Sequence, residues 1–129
     1  MTIAIICTAL LGLLVFGLGL GVSLTRGATD RAAGFDPDPT DRLYKMVRAH
    51  GNAAEYSPML AILILAVGAR NPSAWMTWTA IAATAARYLH AVGMILSPTL
   101  NKPQPLRFVG ALGTYVCGLA LVAALLLAG

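Results

Sequence analysis

The 129-residue chain is 58% apolar and 11% charged, where a soluble domain carries about 25% charged residues, so the lipid bilayer is its expected solvent. The formal net charge of +4 is dispersed; without a basic cluster or basic helix face it excludes a nucleic-acid footprint. Four helices of this size cannot enclose a large core, so a partner chain is expected to complete any deep cavity.

In chain order, four long apolar stretches are predicted to form an all-α bundle of four transmembrane helices in one domain, residues 1–129. The first, about 3–24, carries no charge and is long enough for a hydrocarbon core of about 30 Å. It lacks a basic n-region and exceeds the apolar run of a signal peptide, so a retained helix is expected. A polar stretch over 25–41 follows, with Arg26, Asp30, Arg31, Asp36, Asp38 and two prolines, read as a solvated mixed-charge loop. The second helix is predicted over about 41–69. Asn71-Pro72-Ser73 then reads as a cap residue with proline in the first helical position, so the third helix is placed at 72–96. A proline-containing loop leads to the fourth, over about 105–127.

Lys and Arg are uneven between the loops. Arg26, Arg31, Arg42, Lys45, Lys102 and Arg107 flank the first and third loops, and Arg70 alone flanks the second. The positive-inside rule then predicts basic loops in the cytoplasm and both termini outside it. Cys7 and Cys117 lie in separate apolar segments, lack ligand spacing, and read as small buried hydrophobes; no metal site is expected. Trp75 and Trp78 suit an interfacial aromatic belt. Tyr44 and Lys45 read as interfacial, His50 as a packing residue, and Gly12, Gly17, Gly19 and Gly21 as points of close helix approach.

The informative residues interrupt the apolar helices. Arg48, Asn52 and Glu55 stand at i, i+4 and i+7, one stripe of the second helix, and Arg87 and His90 share a face of the third. A charge at mid-membrane costs about 2.5–3.5 kcal/mol even on the lenient insertion scale. Such groups must face each other, a neighbouring subunit or a wet cavity. An ion-pair network that only fixes packing is one reading. A cationic cavity for an anionic ligand is the other: guanidinium forks take carboxylates, and Glu55 takes an amine.

The run Arg48-Ala-His-Gly-Asn52-Ala-Ala-Glu55-Tyr56-Ser-Pro58 resembles the helix-two signature RxxxNxxEYxP of the MAPEG family, the membrane-associated proteins in eicosanoid and glutathione metabolism. Ala86-Arg87-Tyr88-Leu89-His90 is similar to that family's helix-three RxxH motif. The resemblance covers essentially the whole chain. It implies a homotrimer in the bilayer that binds glutathione between subunits, near the cytoplasmic end. It also implies conjugation of glutathione to lipophilic electrophiles or reduction of lipid hydroperoxides. Carried over residue by residue, Arg48, Asn52, Glu55 and Tyr56 bind glutathione from helix two, and Arg87 and His90 from helix three. Arg107 is the counterpart of the thiolate-stabilising arginine of helix four, and Arg26 contributes at the cytoplasmic rim. Met94 stands where some members carry a tyrosine, and Phe108 where one branch carries a serine. The expected chemistry is therefore a generic transferase or peroxidase, at a bacterial inner membrane, rather than prostaglandin or leukotriene synthesis. The other classes that fit the stripe are a small four-helix transporter and a non-catalytic structural membrane protein. The usual lone acidic residue in helix one of four-helix multidrug transporters is missing here.

Overall fold

The computed structural model describes residues 1–127. It contains four helices: α1 (Thr2–Thr29), α2 (Arg42–Gly68), α3 (Ala74–Leu96) and α4 (Pro105–Leu127), each long and apolar enough to cross a membrane. The chain is all-helical over the described residues, as the composition requires.

Two boundaries depart from the sequence expectation. Helix α1 runs on to Thr29, well past Leu24, because nothing in Thr25-Arg26-Gly27-Ala28 breaks a helix. The Thr25 and Thr29 hydroxyls donate back to the carbonyls of Gly21 and Thr25, at 2.8 and 2.7 Å. The stop is Asp30, in the left-handed region at φ 52°, whose N–H returns to the Arg26 carbonyl. Helix α3, in turn, begins at Ala74 and not at Pro72. Asn71 takes φ 53°, turning the chain, and Ser73 occupies the cap position, its carbonyl accepting from Thr77 N–H at 3.2 Å. The other starts follow capping chemistry. Asp41 accepts from the Tyr44 N–H at 2.8 Å at the head of α2. Pro105 opens α4, whose first turn is capped by the Gln104 side chain accepting from Arg107 N–H at 2.8 Å.

Helices α2 and α3 form the middle of the bundle, with α1 and α4 on its flanks; α1 and α4 make no contact among the described residues. The core is two apolar stacks along the bundle. One joins Cys7, Leu11, Leu60, Ile64, Ala83 and Leu121. The other joins Leu14, Leu18, Ala49, Ala53, Ala91 and Met94. Cys117 packs against the first stack. Outward-facing positions are large and apolar, among them Leu13, Phe16, Leu20, Trp78, Leu119 and Leu126. That distribution is stable against hydrocarbon and would not be in water.

The tightest seam is α3 on α4. A Cβ added at Gly110 would lie 2.5 Å from the backbone nitrogen of His90 and 2.7 Å from the carbonyl oxygen of Ala86. Only a glycine lets the two backbones approach that closely. In α1, Gly19 and Gly21 pack against His50 and Met46, whereas Gly12 and Gly17 face open space. Half of the proposed small-residue stripe is thus used within the chain.

The basic ends of the helices are tied together. Lys45 Nζ donates to the Ser97 carbonyl at 3.0 Å, and Leu100 N–H to the Pro39 carbonyl at 3.0 Å. Arg31 pairs with Asp41 at 2.9 Å, and Phe35 rests on Tyr44 with ring centres 5.5 Å apart. At the opposite end Arg70 donates to the Leu125 carbonyl at 3.3 Å, satisfying one of the last carbonyls of α4.

Candidate functional site

Arg87 is the centre of the polar interior. It is 1% exposed, the largest fully buried side chain among the described residues. One end of its guanidinium donates to Asn52 Oδ1 on α2, and the other to Thr114 Oγ1 on α4 at 3.3 Å. Thr114 is itself anchored, donating to the Gly110 carbonyl at 2.7 Å. The Tyr56 ring lies beneath the guanidinium, 5.2 Å from Arg87 Cζ to the ring centre, in cation–π range. The Tyr56 hydroxyl reaches the Tyr115 hydroxyl at 3.1 Å, with the rings edge to face. Three helices thus converge on one cation.

These groups line a cavity of only about 10 Å³, room for about one water molecule: Asn52 and Tyr56 from α2, Arg87 and His90 from α3, Ala111, Thr114 and Tyr115 from α4. Arg87 Nε and His90 Nδ1 are buried and have no hydrogen-bond partner among the described residues. A buried donor without a partner costs about 1–3 kcal/mol, more for a charged group. The chamber therefore offers unspent hydrogen-bonding capacity of cationic character.

Four of the sequence-predicted residues, Asn52, Tyr56, Arg87 and His90, are brought together there. The other four are not. Arg48 and Glu55 are exposed on α2, and neither forms an ion pair among the described residues, where Arg31–Asp41 is the only one. The idea of an Arg48–Glu55–Arg87 network within one chain is therefore corrected. Helix geometry gives the reason: relative to Arg48, Asn52 and Tyr56 lie about 40° and 80° round the helix, and Glu55 about 20° the other way. The stripe has an inner edge that meets α3 and α4 and an outer edge that leaves the bundle. Arg26 donates to the loop carbonyls of Gly34 at 2.6 Å and Arg31 at 3.3 Å. Arg107 donates to those of Leu100 at 3.1 Å and Lys102 at 3.5 Å. Both arginines stand at the basic end of the bundle, engaged with their own loops. Thr114 and Tyr115 were not singled out by the sequence reading. Their only signal is a pair of hydroxyl side chains inside an otherwise apolar helix.

A second cavity adjoins the first. It is a groove of about 480 Å³ between α2 and α4, lined by Met59, Leu60, Leu63, Gly118, Leu119 and Val122, with Glu55, Tyr56, Thr114 and Tyr115 at one end. Tyr56, Thr114 and Tyr115 belong to both walls.

Four apolar helices around a buried arginine-centred chamber define an integral, multi-pass membrane protein with a polar site inside its bundle. The family model of the MAPEG family matches residues 4–127 of the 129. The chain belongs to the MAPEG family, and so to the membrane proteins of glutathione and eicosanoid metabolism. No curated protein matches it.

Proposed function

We propose that the protein binds glutathione between subunits, over the polar stripe that leads to Arg87, and works as a homotrimeric glutathione transferase or peroxidase on lipophilic electrophiles. One observation carries this reading: a buried guanidinium, fixed by Asn52 and Thr114, lines the same cavity as His90, and its Nε and His90 Nδ1 are both buried without a partner among the described residues. Such a chamber favours an anion. Arg48 and Glu55, on the outer edge of the same stripe, extend the pattern to a ligand with carboxylates and an ammonium group, which glutathione has. Both are exposed on a membrane-spanning helix, which argues for a neighbouring subunit over them and a ligand held between copies.

The chemistry follows from charge. A free thiol titrates near 8.5, and a guanidinium beside it favours the thiolate. Arg107 is the arginine that the family resemblance assigns to this task, with Arg26 at the rim. In a transferase cycle the thiolate forms a bond to the electrophilic carbon, and the leaving group departs with the bonding pair. In a peroxidase cycle two thiols become one disulfide as the hydroperoxide yields an alcohol and water. The bilayer concentrates the apolar partner while the cytoplasm supplies the thiol, so holding both in one cleft is catalysis by proximity. The basic loops would then face the cytoplasm and both termini the other side, in a bacterial inner membrane.

The test is glutathione binding by calorimetry on protein purified in a neutral detergent, followed by conjugation to 1-chloro-2,4-dinitrobenzene with release of chloride. Binding is expected to weaken at least tenfold in Arg48→Ala and in Glu55→Ala. No binding at millimolar glutathione, or variants that bind like the parent, would overturn the proposal.

A further inference from the structure

Pro58 sits inside α2 (Arg42–Gly68), about 15 Å before its last residue. A proline has no N–H, so the Ala54 carbonyl, one turn back, lacks the donor that a helix normally gives it. That carbonyl belongs to the same peptide unit as the Glu55 nitrogen and therefore lies beside the Glu55 Cα. Ala54, Glu55 and Pro58 are all exposed, so the carbonyl opens on the outer edge of the polar stripe. The next two hydroxyls of the chain are placed elsewhere. The Tyr56 hydroxyl is bound to that of Tyr115 at 3.1 Å, and Ser57 Oγ is buried without a partner among the described residues. Gly51, one turn nearer the basic end, would meet nothing within 4 Å of an added Cβ, so the chain itself leaves the approach clear. A backbone acceptor within a membrane needs a donor, and lipid tails have none.

We infer that Pro58 sets specificity for a primary ammonium group: the carbonyl it frees at Ala54 and the Glu55 carboxylate form a two-point seat for the ligand's N–H donors. The inference rests on the reading that a zwitterion such as glutathione lies between copies over this edge. It adds the atom that recognises N–H groups as distinct from charge. The exposed edge holds one charge of each sign, Arg48 and Glu55, about 10 Å apart along the helix. Arg48 matches a carboxylate of the ligand and Glu55 its ammonium group. A carboxylate alone attracts any cation of suitable size. A primary ammonium carries three N–H donors, and the Ala54 carbonyl takes one that Glu55 leaves over. A quaternary ammonium has the same charge and no donor, so it gains nothing from that carbonyl. A copy seated over the edge excludes water, which leaves the ligand as the donor.

The test compares three ligands by calorimetry on the full chain in a neutral detergent: glutathione, its N,N,N-trimethyl derivative, and the desamino analogue glutaryl-cysteinyl-glycine. At pH 6.5 an α-amino group, which titrates near about 7.7–8.0, is protonated. The parent is expected to bind glutathione at least tenfold more tightly than the trimethyl derivative. Pro58→Ala supplies an N–H that takes the Ala54 carbonyl back into the helix. Its glutathione affinity should fall at least threefold, while the desamino analogue, which has no ammonium group, stays within twofold of the parent. Pro58→Leu restores the same N–H and should repeat the pattern. Melting curves check that both are folded, and if one fails the other decides. An equal loss for all three ligands would mean that α2 has merely changed shape, and overturns the inference. Unchanged glutathione affinity in a folded variant overturns it as well, and a shifted trimer population beside it would assign the carbonyl to a neighbouring subunit. A parent that binds glutathione without preferring it to the trimethyl derivative overturns this inference and leaves the glutathione reading standing. A parent that binds no glutathione overturns both.

Discussion

Arg87 gathers more of the chain's chemistry than any other residue. A buried cation is tolerated when its donors are matched, and here Asn52 and Thr114 match two of them while the Tyr56 ring takes the face. A hydrogen bond to a charged group is worth about 1.5–3 kcal/mol. Asn52→Ala removes one such bond without removing the cation, and is expected to destabilise the protein by about 2 kcal/mol, read from its melting curve in detergent. Arg87→Lys keeps the charge and loses the planar fork. A single ammonium cannot reach both Asn52 on α2 and Thr114 on α4. The expected result is at least a tenfold loss of glutathione affinity, and a folded Arg87→Lys that binds like the parent would show that charge alone suffices.

Asp41 is the residue whose ionisation the basic end depends on. Its hydrogen bond from Arg31, then the Tyr44 N–H, hold its carboxyl below the usual carboxylate range; Asp38 is likewise lowered, chiefly by the Thr40 N–H. For a depressed carboxyl the stabilisation is complete above the unfolded value, near about 3.9, and is lost as pH falls through the lower folded value. The loop between α1 and α2 should therefore keep its amide protection from neutrality down to about pH 4 and lose it below that, as read by hydrogen exchange across residues 30–41. Loss of protection already near pH 6 would mean that the Arg31–Asp41 pair does not hold the loop. Asp41→Asn should lower the protection already at neutral pH, because the amide does not form the ion pair with Arg31, and leave only the smaller acid response carried by Asp38.

At the scale of elements, the α3–α4 seam decides whether the chamber exists. Gly110 touches the backbone at Ala86 and His90, and one turn later Thr114 meets Arg87. A methyl group at position 110 forces the helices apart or shifts their register. Overpacking of this kind costs about 1–3 kcal/mol. Gly110→Ala is expected to lower stability by that amount and to weaken glutathione binding through the displaced Thr114, whereas Gly12→Ala, facing open space, should leave both within error. Melting curves and calorimetry on the pair separate the two positions. Most of the elements were legible in advance because composition and capping are local. Asp41 and Pro105 announce their helices by chemistry that acts within one turn. The two misplaced ends fail for the same reason in reverse. Proline at position 72 suits a first helical turn, but the left-handed Asn71 preceding it sets the chain direction, and Ser73 takes the cap. The end of α1 depends on whether polar residues beyond the apolar run stay helical, and threonine back-bonding to the preceding turn lets them.

For the molecule as a whole, the sequence pattern could say that charged residues share a stripe but not which edge of the stripe the bundle covers. Periodicity assigns Arg48, Asn52 and Glu55 to one face; the positions of α3 and α4 then half-bury Asn52 against Arg87 and leave Arg48 and Glu55 outside. Thr114 and Tyr115 were silent for a related reason. Threonine and tyrosine are unremarkable in a membrane helix, and only the Gly110 contact brings them to Arg87 and Tyr56. The exposed edge carries the last prediction. One arginine and one glutamate facing hydrocarbon would cost about 2.5–3.5 kcal/mol each at mid-membrane, so a neighbouring copy is expected to cover them. Native mass spectrometry should then give three times the 13.4 kDa of the single chain. Mass alone would not locate the ligand, but linkage does. A ligand that bridges subunits stabilises the assembly over the free chain by about 2.7 kcal/mol at one hundred times its dissociation constant. Diluting the protein until the trimer begins to dissociate and then adding glutathione should restore the trimer peak. Arg48→Ala should lose that restoration, because the bridge would have lost one anchor. A trimer population that ignores glutathione would place the ligand within single chains, and a protein that stays monomeric would leave Arg48 and Glu55 facing lipid at that full cost.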